Sequence, residues 1–445
     1  MQNSRDRETL TTWDKEHLWH PFTQMQDWLT EEPVIIERGE GIYLIDIKGN
    51  RYIDGIASMW TNVHGHNHPD LNAALKDQLQ QIAHSTLLGY SNIPAIKLAK
   101  KLVEITPAGL NKAFYSDNGS TAVEVALKMA YQYWQHKGQP QRKLFIHFEN
   151  SYHGDTVGAM SVGGIDAFHA TYKSLLFKSV CLPRPKPNEI DNSSQWIDAV
   201  EQVILDHPDQ IAGIIVEPLI QGAGGMIIAP NGFLKQLETL TQNKEILLIV
   251  DEVMTGIGRT GKMWACEHED VSPDLLCTAK GLAAGYLPLA ATLTTDEIYN
   301  AFLGEYRELK TFFHGHTYTG NPLACAVALE NIAIFERENL IERLQPKIAH
   351  FNQRLQEFYS LLHVGDVRVC GLAAGIELME NTDTKTPYPF EDKIGIQVCN
   401  AALKQGVILR PLVNTMVLMP PLQIAISELD TLIDITYQAI SDVTQ

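Results

Sequence analysis

Residues 245–264 read EILLIVDEVMTGIGRTGKMW. The run from Ile246 to Val250 is short, apolar and β-rich, the signature of a buried strand. Two acids follow, Asp251 and Glu252, and then a glycine-rich loop. Gly256, Gly258 and Gly261 spell G-x-G-x-x-G, and Gly256, Gly261 and Lys262 spell most of a nucleotide P-loop. Neither nucleotide reading survives its neighbours. A P-loop needs Ser or Thr after its lysine to hold Mg²⁺, and Met263 stands there. Both motifs open a long helix whose N-terminus faces phosphate. Here KMWACEHEDVSPD is short and stops at Pro273, and two carboxylates before the loop would repel a pyrophosphate. The glycines are expected to shape a turn, and Lys262 is given no catalytic role.

The same strand pattern recurs on both sides. AFYS, KLFIHF, IAGIIVEP and DLLCTA are short apolar runs, with helical periodicity between them over 122–134 and 196–207. Strands alternating with helices from 114 to about 291 predict an α/β domain whose mostly parallel sheet is covered on both faces. Ligands in such sheets bind at the carboxyl ends of the strands. Residues 34–54 read as strands broken by glycine turns, and 69–105 as helical. After Gly320 the pattern becomes helical over 321–360, then short strands, then a helix at 427–443. The division expected is an N-terminal segment, 1–70, packing with the small domain, a large α/β domain, 71–329, and a smaller α+β domain, 330–445.

The 445 residues carry a net charge of −18, which argues against a nucleic-acid binder held by phosphate contacts. Six cysteines at irregular gaps, none in C-x-x-C, suggest reduced thiols rather than a disulfide framework or a zinc site. The start has no apolar run fit for a signal peptide, and no apolar stretch is long enough to span a bilayer. A cytoplasmic protein without membrane contact is expected.

A carboxylate at the end of an apolar strand is costly without a partner. Asp251 could be an N-cap or a surface acid. Lys280, after DLLCTA, could be a solvated lysine, but apolar surroundings would disfavour its ammonium form and make it nucleophilic. Together they match the two protein handles on pyridoxal phosphate: a lysine for the Schiff base and a carboxylate at the pyridinium nitrogen. In FYSDNGSTAVEVALKMAYQYW a helix starts at Gly119-Ser120-Thr121, where N–H groups and the helix dipole suit a phosphate. Thr121-x-x-Glu124 is the capping box expected there. Tyr152, after KLFIHF, offers a ring for stacking. His64, His66 and His68 in HGHNHP have metal-ligand spacing but no nearby acid, so hydrogen-bonded histidines and no metal are expected.

Six motifs stand in the order SDNGSTAVEVALKMA, SYHGDTVGAMS, IVEPLIQGAGGM, LLIVDEVMTGIGRTGK, AKGLAAGYLPLAA and HGHTYTGNPLACAVA. In these, over nearly its whole length, the chain resembles the class III, fold-type I, pyridoxal-phosphate aminotransferases. The resemblance implies that Lys280 binds the cofactor covalently, Asp251 pairs with its ring nitrogen, Tyr152 covers its ring, and Gly119 and Ser120 hold its phosphate. It implies a homodimer in which His316 and Thr317 reach the phosphate from the other subunit. Substrate contacts implied are Phe22, Met59, Trp60, Tyr152, Gly315 and Arg410. HLWHPFTQM, NVHGHNHP, FFHGHTYTGNPLACA and ILRPL are most similar to members that transaminate 8-amino-7-oxononanoate for biotin synthesis. The alternative is another ω-aminotransferase of the family, acting on a diamine, ornithine or 4-aminobutyrate. Members using S-adenosylmethionine as amino donor read H-P-Y-T and W-W where this chain has His20-Pro21-Phe22-Thr23 and Met59-Trp60. Phe22 lacks a hydroxyl and Met59 is a flexible filler rather than a flat wall. These departures resemble the branch that uses lysine as donor.

Overall fold

The structure is a computed structural model that describes residues 2–183 and 193–445. Its centre is a seven-stranded sheet in the order Leu110–Ser116, Ala290–Thr295, Leu275–Thr278, Leu247–Asp251, Ile211–Val216, Leu144–Phe148 and Val180–Leu182. Only Ala290–Thr295 runs against the rest. The α/β class expected from the alternating pattern is the class observed. Strands Ile211–Val216 and Leu247–Asp251 are buried at every position, because helices cover both faces. Side chains alternate across the sheet. Leu247 and Ile249 pack with Val123, Ala126 and Ala130 of helix Gly119–His136, while Leu248 and Val250 join the opposite core with Phe233 and Leu237. Asp251 therefore emerges on the face of the Gly119 helix, beside that helix's N-terminus.

Three details differ from the sequence reading. The antiparallel strand Ala290–Thr295 was not expected, because AATLTT lacks a strong apolar run. The helical region 69–105 is two helices, Pro69–Gln81 and Ile93–Ile105. Ile82 turns to extended backbone, and Asn92 caps the second helix by accepting from Ala95 N–H. The capping box sits one turn early. Asn118 accepts from Thr121 N–H at 3.0 Å, and Thr121 Oγ1 accepts from Asn118 N–H at 3.1 Å. Glu124 instead accepts from Gly158 and Ala159 N–H, at 2.7 and 3.1 Å.

Beyond Asn321, whose side chain caps helix Pro322–Arg337, helix Leu340–Leu355 leads to a second sheet built on the hairpin Val364–Cys370 and Ala373–Asn381. The N-terminal strands Ile36–Glu40, Tyr43–Asp46 and Arg51–Asp54 form a meander whose last strand pairs in parallel with Val407–Ile408. That pairing supports our proposed grouping of residues 1–70 with 330–445 around the domain 71–329. Among the described residues no helix is long and apolar enough to cross a membrane.

The glycine loop is a packed turn. Gly258 and Gly261 have φ of +83° and +97°. Arg259 is buried and donates to Leu372 O and Pro420 O, tying the loop to the C-terminal part of the chain. Lys262 donates to Glu267 O. Trp264 is fully buried, donates Nε1–H to Ile105 O at 2.6 Å, and lies so close to Gly256 that a Cβ there would meet it at 2.9 Å. Trp264→Ala should cost about 3–5 kcal/mol by opening a cavity. Urea unfolding checks this, and an unchanged midpoint would contradict the packing described.

Candidate active site

The carboxyl ends of the parallel strands open into one cavity of about 460 Å³, a volume suited to a small cofactor and substrate. Its walls carry Met59, Trp60, Gly119, Ser120, Tyr152, Asp251 and Lys280. Seven sequence-predicted residues from five separate segments thus converge. Phe22, Gly315, His316, Thr317 and Arg410 do not line it. Phe22 and Arg410 are joined to it by a row of side chains. Tyr152 meets Phe168 edge-on at 6.1 Å, Phe168 meets Phe22 at 5.3 Å, and the Arg410 guanidinium lies 6.0 Å from the Phe22 ring centre. Gly315, His316 and Thr317 line a separate groove with Leu87, Phe114 and Tyr115. His316 still touches the cavity's rim, with Nδ1 at 2.7 Å from Asp117 Oδ2.

Asp251 ends its strand almost fully buried, and its charge is satisfied from two sides. His153 Nδ1–H donates to Oδ2 at 2.7 Å, and Val253 N–H donates to Oδ1 at 3.0 Å. Each oxygen keeps a lone pair for a further donor in the cavity. Glu252, the second acid, faces away and serves the turn. It accepts from Thr255 Oγ1 at 2.5 Å and from Cys266 N–H at 2.8 Å, and burial pushes its carboxyl up.

Lys280 opens a short 3₁₀ turn two residues beyond strand Leu275–Thr278. Among the described residues it makes no hydrogen bond or ion pair, and its Nζ lies 4.9 Å from the Trp60 ring centre. Burial pulls its ammonium below the usual lysine range, against the opposing pull of Asp251 and Glu217. The result is an amine easily deprotonated yet held near two carboxylates.

Two residues that sequence reasoning passed over hold this arrangement. Both lay inside quoted motifs, SYHGDT and IVEPLI, but their roles depend on tertiary contacts. His153 orients Asp251, and its own Nε2 is buried without a hydrogen-bond partner among the described residues. Glu217, buried, accepts from Tyr152 N–H and Gly222 N–H, both at 2.9 Å, and burial pushes its carboxyl up. Tyr152 donates its hydroxyl to Asp155 at 2.8 Å, and burial pushes its phenol up, so it stays protonated. Gly154 at φ +127° lies against Ser120, where a Cβ would fall 2.0 Å from Oγ. His64 and His66 of HGHNHP turn to different partners: His64 Nε2 bonds Asn331 Oδ1 at 2.7 Å, and His66 Nε2 bonds Asp54 Oδ2 at 2.9 Å. Burial brings His64 down to about 4, so it is neutral at physiological pH.

A free amine, a buried carboxylate with spare lone pairs and a capped 18-residue helix aimed into one cavity are the donor set that pyridoxal phosphate requires. The residues present therefore fit that cofactor. Comparison with known proteins agrees. The family model "Aminotransferase class-III" matches residues 25–440. The chain is 54% identical over 98% of both chains to the adenosylmethionine-8-amino-7-oxononanoate aminotransferase of Aquifex aeolicus. It is 51% identical, over 99% of both, to that of Geobacter sulfurreducens. The crystal structure of the Methanocaldococcus jannaschii adenosylmethionine-8-amino-7-oxononanoate aminotransferase superposes with a TM-score of 0.96 at 48% identity, covering 99% of this chain and 100% of that one. The chain belongs to the class III aminotransferases, enzymes that depend on pyridoxal phosphate.

His153→Phe should leave Asp251 poorly oriented and lower kcat about ten- to a hundredfold while KM for the amino donor changes little. Steady-state kinetics on the holoenzyme decide this, and an unaltered kcat would remove His153 from the account.

Proposed function

We propose that this chain transaminates 8-amino-7-oxononanoate to 7,8-diaminononanoate in biotin synthesis, in the cytoplasm, with lysine as amino donor. The observation that carries the reaction is end-to-end identity of about half to relatives named for that substrate, together with the convergence of Lys280, Asp251 and the Gly119 helix on one cavity.

In this reading Lys280 is the residue that would hold the cofactor through its amine. Freed from the cofactor, the same Nζ would serve as the base that accepts the donor's proton and the acid that gives it back. Its lowered basicity suits both halves of that transfer. The bound cofactor supplies an electron sink for the carbon that loses its proton. Asp251, oriented by His153 and Val253, would pair with the cofactor's ring nitrogen. Gly119 and Ser120 offer helix N-terminal N–H groups and a hydroxyl to the phosphate. Tyr152, fixed through its backbone by Glu217, covers one ring face. Arg410 binds the substrate carboxylate, for which a guanidinium gives two parallel hydrogen bonds. Phe22, Met59 and Trp60 shape the donor side.

Gly315, His316 and Thr317 act across a homodimer interface, so each cavity is completed by its partner. Supporting this, their groove is bordered by exposed Leu88, Ile96 and Phe313, apolar surface of the kind that marks interfaces. The relatives' names favour S-adenosylmethionine as a second reading of the donor.

Lys280→Ala should abolish product formation, assayed by mass spectrometry of 7,8-diaminononanoate. Retained turnover overturns its role. Supplying lysine and S-adenosylmethionine separately to the wild-type enzyme tests the donor. Product with S-adenosylmethionine but not with lysine reverses that choice.

A further inference from the structure

Four consecutive non-glycine residues, Ala57, Ser58, Met59 and Trp60, have φ of 47°, 55°, 105° and 70°. L-residues visit this left-handed region singly, not in runs. The turn is closed by its own ladder: Trp60 N–H donates to Ile56 O at 2.8 Å and Thr61 N–H to Ala57 O at 3.0 Å. A local ladder does not choose the hand of a turn. Something outside it must favour the left-handed form, and strain of this kind persists only where surroundings over-determine it.

Asp54 is bonded to the turn from outside it. It ends strand Arg51–Asp54 with no exposed surface, where an unpaired carboxylate would be costly. Oδ1 accepts from Ser58 N–H at 2.9 Å, and Oδ2 accepts from Ser58 Oγ at 2.7 Å and from His66 Nε2–H at 2.9 Å. Asn62 Nδ2 donates to His66 Nδ1 at 3.1 Å, which leaves the ring proton on Nε2, facing Asp54. Gly39 lies so near His66 that a Cβ there would be 2.5 Å from its Cβ, so the ring's position is fixed from behind. The two residues the turn carries, Met59 and Trp60, are the ones on the cavity wall. The Trp60 ring packs over the backbone at Gly222, where a Cβ would meet it at 3.2 Å, and faces Lys280.

We propose that Asp54, with Ser58 and His66, holds the left-handed turn and thereby sets which amino donor the cavity accepts. These are positioning residues: none of them lines the cavity, and each acts through Met59 and Trp60. If the turn relaxed to right-handed or extended backbone, both side chains would leave the wall together. The inference rests on the transamination proposed above.

The test is the ratio of kcat/KM for two amino donors, lysine and ornithine, measured on holoenzyme with saturating acceptor. Asp54→Asn should change that ratio about tenfold, as expected for side chains displaced by about an ångström. Adding Ala57→Gly should bring it back to within about threefold, because glycine adopts positive φ without steric cost. A merely structural Asp54 would not be rescued by a glycine elsewhere. An unchanged ratio in Asp54→Asn, or a changed one that Ala57→Gly leaves unrestored, overturns the proposal. If Asp54→Asn does not fold, Ser58→Ala removes one bond to the same carboxylate and should move the ratio about threefold; no movement overturns it equally. If the wild-type enzyme uses neither amine, the donor reading has failed. The same comparison is then made with the two best amines of a panel, and decides the turn's role on its own.

Discussion

A negative charge at the end of a buried strand is the constraint around which this molecule is arranged. Asp251 follows four buried residues and is itself buried, so its carboxylate must find partners inside the protein. His153 and Val253 provide two, and the geometry leaves lone pairs directed at the cavity. His153 is placed by the segment after strand Leu144–Phe148, two strands away, and that segment also carries Tyr152. Glu217, after the strand between them, fixes Tyr152. The ends of these three strands thus supply Asp251, Glu217, Tyr152 and His153, which are tied in pairs, His153 to Asp251 and Tyr152 to Glu217, before any ligand is considered.

Parallel strands make this possible because their carboxyl ends all lie on one side of the sheet. Helix Gly119–His136 adds its N-terminus at the same edge, since its apolar face packs on Leu247, Ile249 and Leu275. Phosphate seat and carboxylate are consequently set by one packing surface. Arg259 and Trp264, further along the glycine loop, anchor that loop away from the cavity. The two acids that begin it divide the work: Asp251 turns to the site and Glu252 to the turn.

Asp251, Lys280 and the Gly119 helix could be read from the sequence because each follows a strong local signal: an apolar run and then a polar residue, or helical periodicity and then its start. Asn118 as the cap was missed, because Thr121 with Glu124 fits the box as well, and only the contact of Glu124 with Gly158 and Ala159 separates them. Ala290–Thr295 was missed because a strand between two others borrows its stability from them rather than from its own pattern. His153 and Glu217 act through residues distant in sequence, and no spacing encodes that. The left-handed turn at Ala57–Trp60 was invisible for a further reason. Its residues, ASMW, contain no glycine or asparagine, and the carboxylate bonded to it, Asp54, lies outside the four.

The parallel pairing of Arg51–Asp54 with Val407–Ile408 joins residues separated by roughly 350 positions. On a ribosome adding about 5–20 residues per second, the N-terminal meander waits about 20–70 s for its last partner strand. During that time the edge Arg51–Asp54 is unpaired, and Asp54, which ends it, lacks the chain that later buries it. Completion of this corner of the protein is therefore timed by the emergence of its C-terminal part, long after the large sheet has had its strands.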